Sequence, residues 1–144
     1  MDENEPIGRI FKLIDDAFKK SRNQKLKATG ITASQCDVLL FLFSAPKKEI
    51  NQRDIEAHLK LKNPTITGIL KRMEKKGIIQ CVVNSTDKRC KNVYLTPKAA
   101  VVEKILQENR TYLDNLVVKG LSKEEIHTLR VLLHKVLENI NENG

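Results

Sequence analysis

The spacing of apolar residues changes character at Gly77. Before it, two short blocks repeat at helical spacing: Ile55, Ala57 and Leu59 in the first, then Ile66, Ile69, Leu70 and Met73 in the second. After it, Ile78 to Val83 is a β-branched, apolar run that reads as a strand. The boundaries carry their own signals. Asn51 suits an N-cap, with Asp54 in the first turn favouring the helix dipole. Asn63 is the expected cap of the second helix, with Pro64 at its first position. Gly77 stops that helix. The polar stretch Asn84 to Arg89 is built of turn formers, and Val93, Tyr94 and Leu95 make a second strand. Two tightly joined short helices followed at once by a hairpin admit few arrangements.

The flanks are helical. Residues 5–28 carry Ile7, Ile10, Phe11, Ile14 and Phe18 on one stripe, with Pro6 at the start and Gly30 after the end. Thr32 and Gln35 have capping-box spacing ahead of the apolar run Cys36 to Phe43, which reads as a central core helix. Pro46 to Glu49 reads as a loop, and Ile50 could form a short strand. Thr96 and Pro97 are expected to cap and open a fifth helix along Val101, Val102, Ile105, Leu106, Tyr112, Leu113, Leu116 and Val117, ended by Gly120. Ser122 and Glu125 form a second capping-box pattern. Beyond it Ile126, Leu129, Leu133, Val136 and Ile140 repeat as a heptad seam. The expected fold is mainly α with a small β-hairpin wing, a winged helix-turn-helix over about 32–96. The helices at about 5–28 and 97–141 have stripes that so small a lobe cannot bury. A symmetric dimer interleaving them is the economical solution, an intrachain bundle the alternative. The chain reads as one domain, 1–144.

Charge is concentrated in the same region. The 26 Lys and Arg exceed the 18 Asp and Glu by eight. Residues 60–98 hold ten basic and two acidic residues, so the remaining sixteen of each sign cancel. Excess charge confined to one block points to a polyanionic partner. On a helical wheel Ile66, Ile69, Leu70 and Met73 share an arc of about 100°, and Pro64, Thr65, Thr67, Gly68, Lys71, Arg72 and Lys75 face away. Short hydroxyls on the leading turns followed by cations suit a helix lying in a DNA major groove, where Arg72 can make a bidentate contact with guanine. At the wing tip Asp87 precedes Arg89 by two residues, with Lys88 between. An ion pair there would aim the guanidinium for a narrow minor groove.

Three stretches together resemble the MarR-type regulators (multiple antibiotic resistance regulators). ITASQCDVLLFL is similar to the family's second helix, NQRDIEAHLKLKNPTITGILKRMEKKGII to its helix-turn-helix and wing start, and DKRCKNVYLTPKA to its D-x-R wing and following strand. The resemblance implies a homodimeric cytoplasmic transcription factor on pseudo-palindromic double-stranded DNA, commonly a repressor released by a small phenolic or aromatic effector. It assigns major-groove reading to the helix with Thr65, Thr67, Lys71 and Arg72, and minor-groove entry to the wing with Asp87 and Arg89. Three positions depart from the pattern. Lys88 replaces a common arginine, Gly68 leaves a gap on the DNA-facing side, and Ala99-Ala100 stand near the family's glycine.

Other chemistries fit poorly. The longest apolar run, Val38 to Phe43, is far short of the roughly 20 residues that span a bilayer. The acidic start MDENEPIG is no signal peptide. Three cysteines without a close pair suit a reducing compartment. No metal-ligand spacing, nucleophile elbow or phosphate loop is present, so neither an enzyme nor a resident cofactor is expected. The residues leave two alternatives to a DNA-binding regulator of the ordinary kind: a winged-helix module for protein or RNA contacts, and a regulator sensing oxidants through Cys36 or Cys90.

Overall fold

The computed structural model describes residues 1–45 and 49–144. Most of the loop expected at Pro46 to Glu49 therefore lies outside the described residues. Among those described, six α-helices and three short strands occur, in the order α1 (Ile7–Leu26), α2 (Ala33–Ser44), β1 (Ile50–Asn51), α3 (Gln52–Leu59), α4 (Asn63–Lys75), β2 (Ile79–Val83), β3 (Lys91–Leu95), α5 (Ala99–Val117) and α6 (Lys123–Asn143). Among the described residues no single helix is long and apolar enough to cross a membrane. The chain divides into two compact units, Met1–Asn109 and Arg110–Gly144.

In the first unit, α1 tightens into a 3₁₀ turn over Lys27–Thr29, which closes on Gly30 at a left-handed φ of 73°. The Thr32–Gln35 capping box forms. The Thr32 hydroxyl accepts from the Gln35 amide at 3.2 Å, and the Gln35 carboxamide accepts from the Thr32 amide at 3.3 Å. This launches α2 through the core, where Cys36, Val38 and Leu39 are completely buried. Ile55 of α3 and Ile66 and Met73 of α4 are equally buried, so α4 turns in the stripe that its spacing dictates. Asn51 and Asp54 cap α3 reciprocally at 2.9 and 3.0 Å.

The turn between α3 and α4 places Lys60 at φ 54°, in the left-handed region. A side chain there costs roughly 1–2 kcal/mol. Asn63 is the first residue of α4 and not its cap, which is Lys62. Its side chain is turned to α3 instead, donating to Glu56 Oε1 at 3.0 Å and accepting from the Thr67 hydroxyl at 3.3 Å. Helix α4 ends as Gly77 allows. Gly77, at φ 75°, donates to the Glu74 carbonyl, and Ile78 donates to that of Met73. This pair of bonds reverses the chain and buries Ile78.

The wing is larger than a hairpin. The sheet has three antiparallel strands in the order β1-β3-β2, with Ile50 opposite Val93, Ile79 opposite Leu95 and Val83 opposite Lys91. Ile50 thus pins the wing to the start of α3. Thr96 does not cap α5, which begins at Ala99. The Thr96 hydroxyl lies 2.6 Å from the Gly77 carbonyl and 2.9 Å from that of Ile78, so it ties the end of β3 to the end of α4.

In the second unit, Ser122 and Glu125 form their capping box, with both bonds at 3.1 Å. Helix α6 runs 21 residues, and none of them is buried.

Candidate nucleic-acid interface

Helix α4 presents Thr65, Lys71, Arg72 and Lys75 to solvent, opposite its buried stripe. Thr67 and Gly68 are half-buried. The Thr67 hydroxyl is engaged: it donates to Asn63 and accepts from Gln52 Nε2 at 2.8 Å, and Gln52 also donates to Glu56. This polar cluster fixes the angle between α3 and α4. Gly68 has a specific neighbour. A Cβ built there would sit 3.5 Å from the Arg72 guanidinium, so the Arg72 side chain lies back over the bare backbone one turn earlier. A Cβ would meet the guanidinium only at van der Waals distance, so Gly68 leaves room over the backbone that Arg72 occupies.

The wing turn is locked by side chains. Asn84 Oδ1 accepts from the Thr86 amide at 2.9 Å and the Asp87 amide at 3.1 Å. Asp87 Oδ1 in turn accepts from the Arg89 amide at 3.0 Å and from Arg89 Nε at 3.3 Å. The backbone bond first, then the side-chain one, holds the Asp87 carboxyl below the usual carboxylate range. The Arg89 side chain remains 84% exposed. Its base is held and its far end is free, which is the geometry anticipated from the D-x-R spacing. Lys88 is exposed beside it.

Not every cation of the basic block is free to meet a ligand. Lys76 Nζ donates to the Gly30 carbonyl and, at 2.8 Å, to Gln35, while Lys98 Nζ donates to the Lys76 carbonyl at 2.8 Å. These two lysines close the junction of α4 with α2 and the sheet. Glu74, one of two acids in the block, accepts from the Cys81 amide at 2.7 Å.

Sequence reasoning passed over a polar recess of about 260 Å³ in this unit, whose walls include Arg53, Glu56, Asn63, Thr67, Arg89 and Lys91. It brings the first turns of α3 and α4 together with the base of the wing. Arg53 lies outside the basic window, and nothing in its local pattern distinguishes it from any exposed helical arginine. Lys91 adds to the basic block, and its place at the start of a strand carries no further signal in the sequence.

Of the cysteines, Cys36 lies in the core and Cys90 lines the recess. Cys36 has no exposure, and burial pushes its thiol up. A reactive thiolate needs the opposite on both counts, so the oxidant-sensing reading finds no support at Cys36. Cys90 is at the wing base, 9% exposed, with its thiol donating to Asp87 Oδ2 at 3.6 Å. No cluster of three or more potential metal ligands occurs among the described residues.

The chain is similar to known proteins over the segment that holds both elements. The MarR family model matches residues 31–91, which span α2 to the first residue of β3. The multiple antibiotic resistance protein MarR of Salmonella typhimurium is 32% identical over 92% of this chain and 91% of its own length. The chain belongs to the MarR family. The crystal structure of wild-type MarR from E. coli, in the apo form, superposes with a TM-score of 0.79 at 31% identity, covering 94% of this chain and 99% of that one. The S. aureus MepR–DNA complex superposes at 0.72 with 27% identity, covering 92% and 98%. As a MarR-family protein the chain is a DNA-binding transcription regulator on a winged-helix scaffold, and not an enzyme. The MarR match includes both α4 and the wing turn, the two elements described above.

Proposed function

We infer that the protein is a cytoplasmic homodimeric repressor that reads a pseudo-palindromic operator with one α4 and one wing per half-site. The observation that carries this reading is the pairing, in one compact unit, of an exposed Thr65–Lys71–Arg72–Lys75 face with an Arg89 whose Nε is held by Asp87 while its side chain stays 84% exposed. Thr65, on the leading turn, reaches base edges, and Arg72, seated over Gly68, takes a guanine. Lys71 and Lys75 hold phosphates. Arg89, aimed by Asp87 and flanked by Lys88, enters the minor groove, where the potential is most negative. Thr67 acts through position, by setting α4 on α3.

Dimerisation is supported by the helices outside the 32–96 lobe. Ile7, Leu13 and Ile14 of α1 are 61, 53 and 47% exposed, and Leu133, Leu137 and Ile140 of α6 are 44, 53 and 60% exposed. Apolar rows of this length are covered in a stable protein, and a two-fold partner covers both copies at once. The helices at 5–28 and 97–141 therefore form the dimer, and 32–96 forms the DNA-binding lobe. A small aromatic or phenolic acid that releases the operator completes the regulatory reading. Its check is a titration of benzoate or a phenol into the protein–duplex complex, which must lower duplex affinity.

The test of the reading is selection of bound duplexes from a random pool, followed by affinity measurements between 50 and 200 mM salt. If three to five cations per protomer engage, about 6–10 phosphates are neutralised, and log affinity falls against log salt with a slope near −5 to −9. The selected site is an inverted repeat with half-site centres about 10 base pairs apart. A slope near zero, or equal affinity for one half-site and two, overturns the reading.

A further inference from the structure

We propose that the recess between α3 and the wing, with Arg53 and Lys91 as its ligands, is a seat for one DNA backbone phosphate per protomer. This rests on the DNA-binding reading and extends it to residues outside the recognition helix and the wing tip.

The charge balance of the recess comes first. Arg53, Arg89 and Lys91 all line it, and Glu56 and Asp87 are the acids near them. Both acids already accept hydrogen bonds from neighbours. Glu56 Oε1 accepts from Gln52 at 3.2 Å and from Asn63 at 3.0 Å, and Asp87 is taken up by Arg89 and Cys90. Arg53 lies close enough to Asp87 to help hold its carboxyl in the charged form. The neutral amides that bond Glu56 leave its charge in place, so three cations stand against two carboxylates, and the excess of one positive charge favours an anion.

The size and place of the recess identify the anion. About 260 Å³ holds a phosphodiester with its solvent and is too small and too polar for a drug-sized apolar ligand. Its walls belong to the start of α4 and to the base of the wing. A recognition helix and a wing that enter neighbouring grooves of one duplex straddle the sugar–phosphate strand between those grooves. The recess lies where that strand must pass. Arg53 supplies a planar fork that matches phosphate oxygens, and Lys91, exposed at the start of β3, supplies a compact charge from the other wall. A phosphate seated here fixes the register between the major-groove and minor-groove contacts and carries no base information of its own.

The test uses the intact protein, a duplex selected by the wild type, and a base-scrambled duplex of equal length. Arg53→Ala with Lys91→Ala is expected to make the salt slope shallower by about 0.9 per protomer. Affinity should fall by the same factor on both duplexes. Arg53→Lys should restore most of the slope. Ethylation of single phosphates should show one position per half-site that blocks wild-type binding and is indifferent to the double variant. Both side chains are exposed, and a thermal midpoint close to wild type confirms folding. An unchanged slope and ethylation pattern in a folded double variant overturns the proposal and leaves the DNA-binding reading standing. So does a loss confined to A·T-rich flanks, which would mean that Arg53 acts only by positioning Asp87 and Arg89. If inorganic phosphate alone stabilises the wild type and not the double variant while the duplex slope is unchanged, the seat serves a free anion and the proposal fails. Wild-type protein that binds no duplex defeats both readings together.

Discussion

Residues 1–109 and 110–144 are both built from amphipathic helices, yet they spend their apolar faces differently. Every buried apolar side chain lies in the first unit, and α6 in the second has no buried residue at all. The sequence pattern is not weaker in α6, whose heptad seam is the most regular in the chain. What differs is the supply of partners. Helices α2, α3 and α4 meet each other and the sheet within a few tens of residues, so their stripes find cover inside one chain. The regular stripe left exposed in the same molecule is the surface that the proposed dimer would cover. The first half of α1 follows α6 in this, with Ile7, Leu13 and Ile14 open, whereas its last residue, Leu26, is 1% exposed.

That contrast can be broken most directly in α6. Changing Leu129 and Leu133 together to Asp should leave a monomeric or unfolded chain and reduce operator affinity by about 10²-fold or more, since linked half-sites lose their avidity. Sedimentation decides it. A stable folded species of 16.4 kDa from the unmodified protein would show that the seam needs no partner. In the first unit the counterpart is Ile66→Ala, at a position with no exposure, which should cost about 2–5 kcal/mol. The two losses should differ in kind. Unfolding midpoints of Leu133→Ala should move with protein concentration relative to wild type, because mass action governs an interface, and the penalty of Ile66→Ala should not.

Smaller effects separate the two arginines. Arg72→Ala should cost about 1–3 kcal/mol and relax specificity at a single base pair. Arg89→Ala should weaken binding most on sites with A·T-rich flanks. Equal losses on every sequence would reduce both to phosphate contacts. Smaller again is Lys60→Gly, which relieves the left-handed backbone between α3 and α4 and should stabilise the lobe by about 1 kcal/mol in urea unfolding. The least effect is expected from pH at Asp87. Its folded carboxyl is held below the ordinary value, so its contribution is present above the usual carboxylate range, near 3.9, and fades as pH falls through the lowered folded value. Asp87→Asn should therefore differ from wild type in stability at neutral pH, and the two should converge in strong acid.

Much of this was legible in one dimension, because the signals are local. The three capping boxes or their equivalents at Thr32, Asn51 and Ser122 are contacts over three residues, and each is made as the spacing indicates. The buried face of α4 follows from its 3.6-residue period, and the Asp87–Arg89 pair from a separation of two. Asn63 and Thr96 show the opposite case. Both have the residue type of a cap, but an offer from outside the helix was better: Glu56 of α3 for Asn63, which also accepts from Thr67 one turn on, and the Gly77 and Ile78 carbonyls for Thr96. Only the tertiary structure could decide these, since a side chain's choice between its own helix and a distant strand depends on distances that the chain order does not state. It likewise decided that Ile50 adds a third strand, that Lys76 and Lys98 serve carbonyls, that Gly68 seats Arg72, and that Arg53 and Lys91 meet across a recess. The sequence by itself determined the six helices and the two strands of the hairpin, which face of each helix is apolar and where positive charge accumulates. The fold determined which of those charges remain free, because a cation is available to a ligand only after every carbonyl and carboxylate within reach has taken its share.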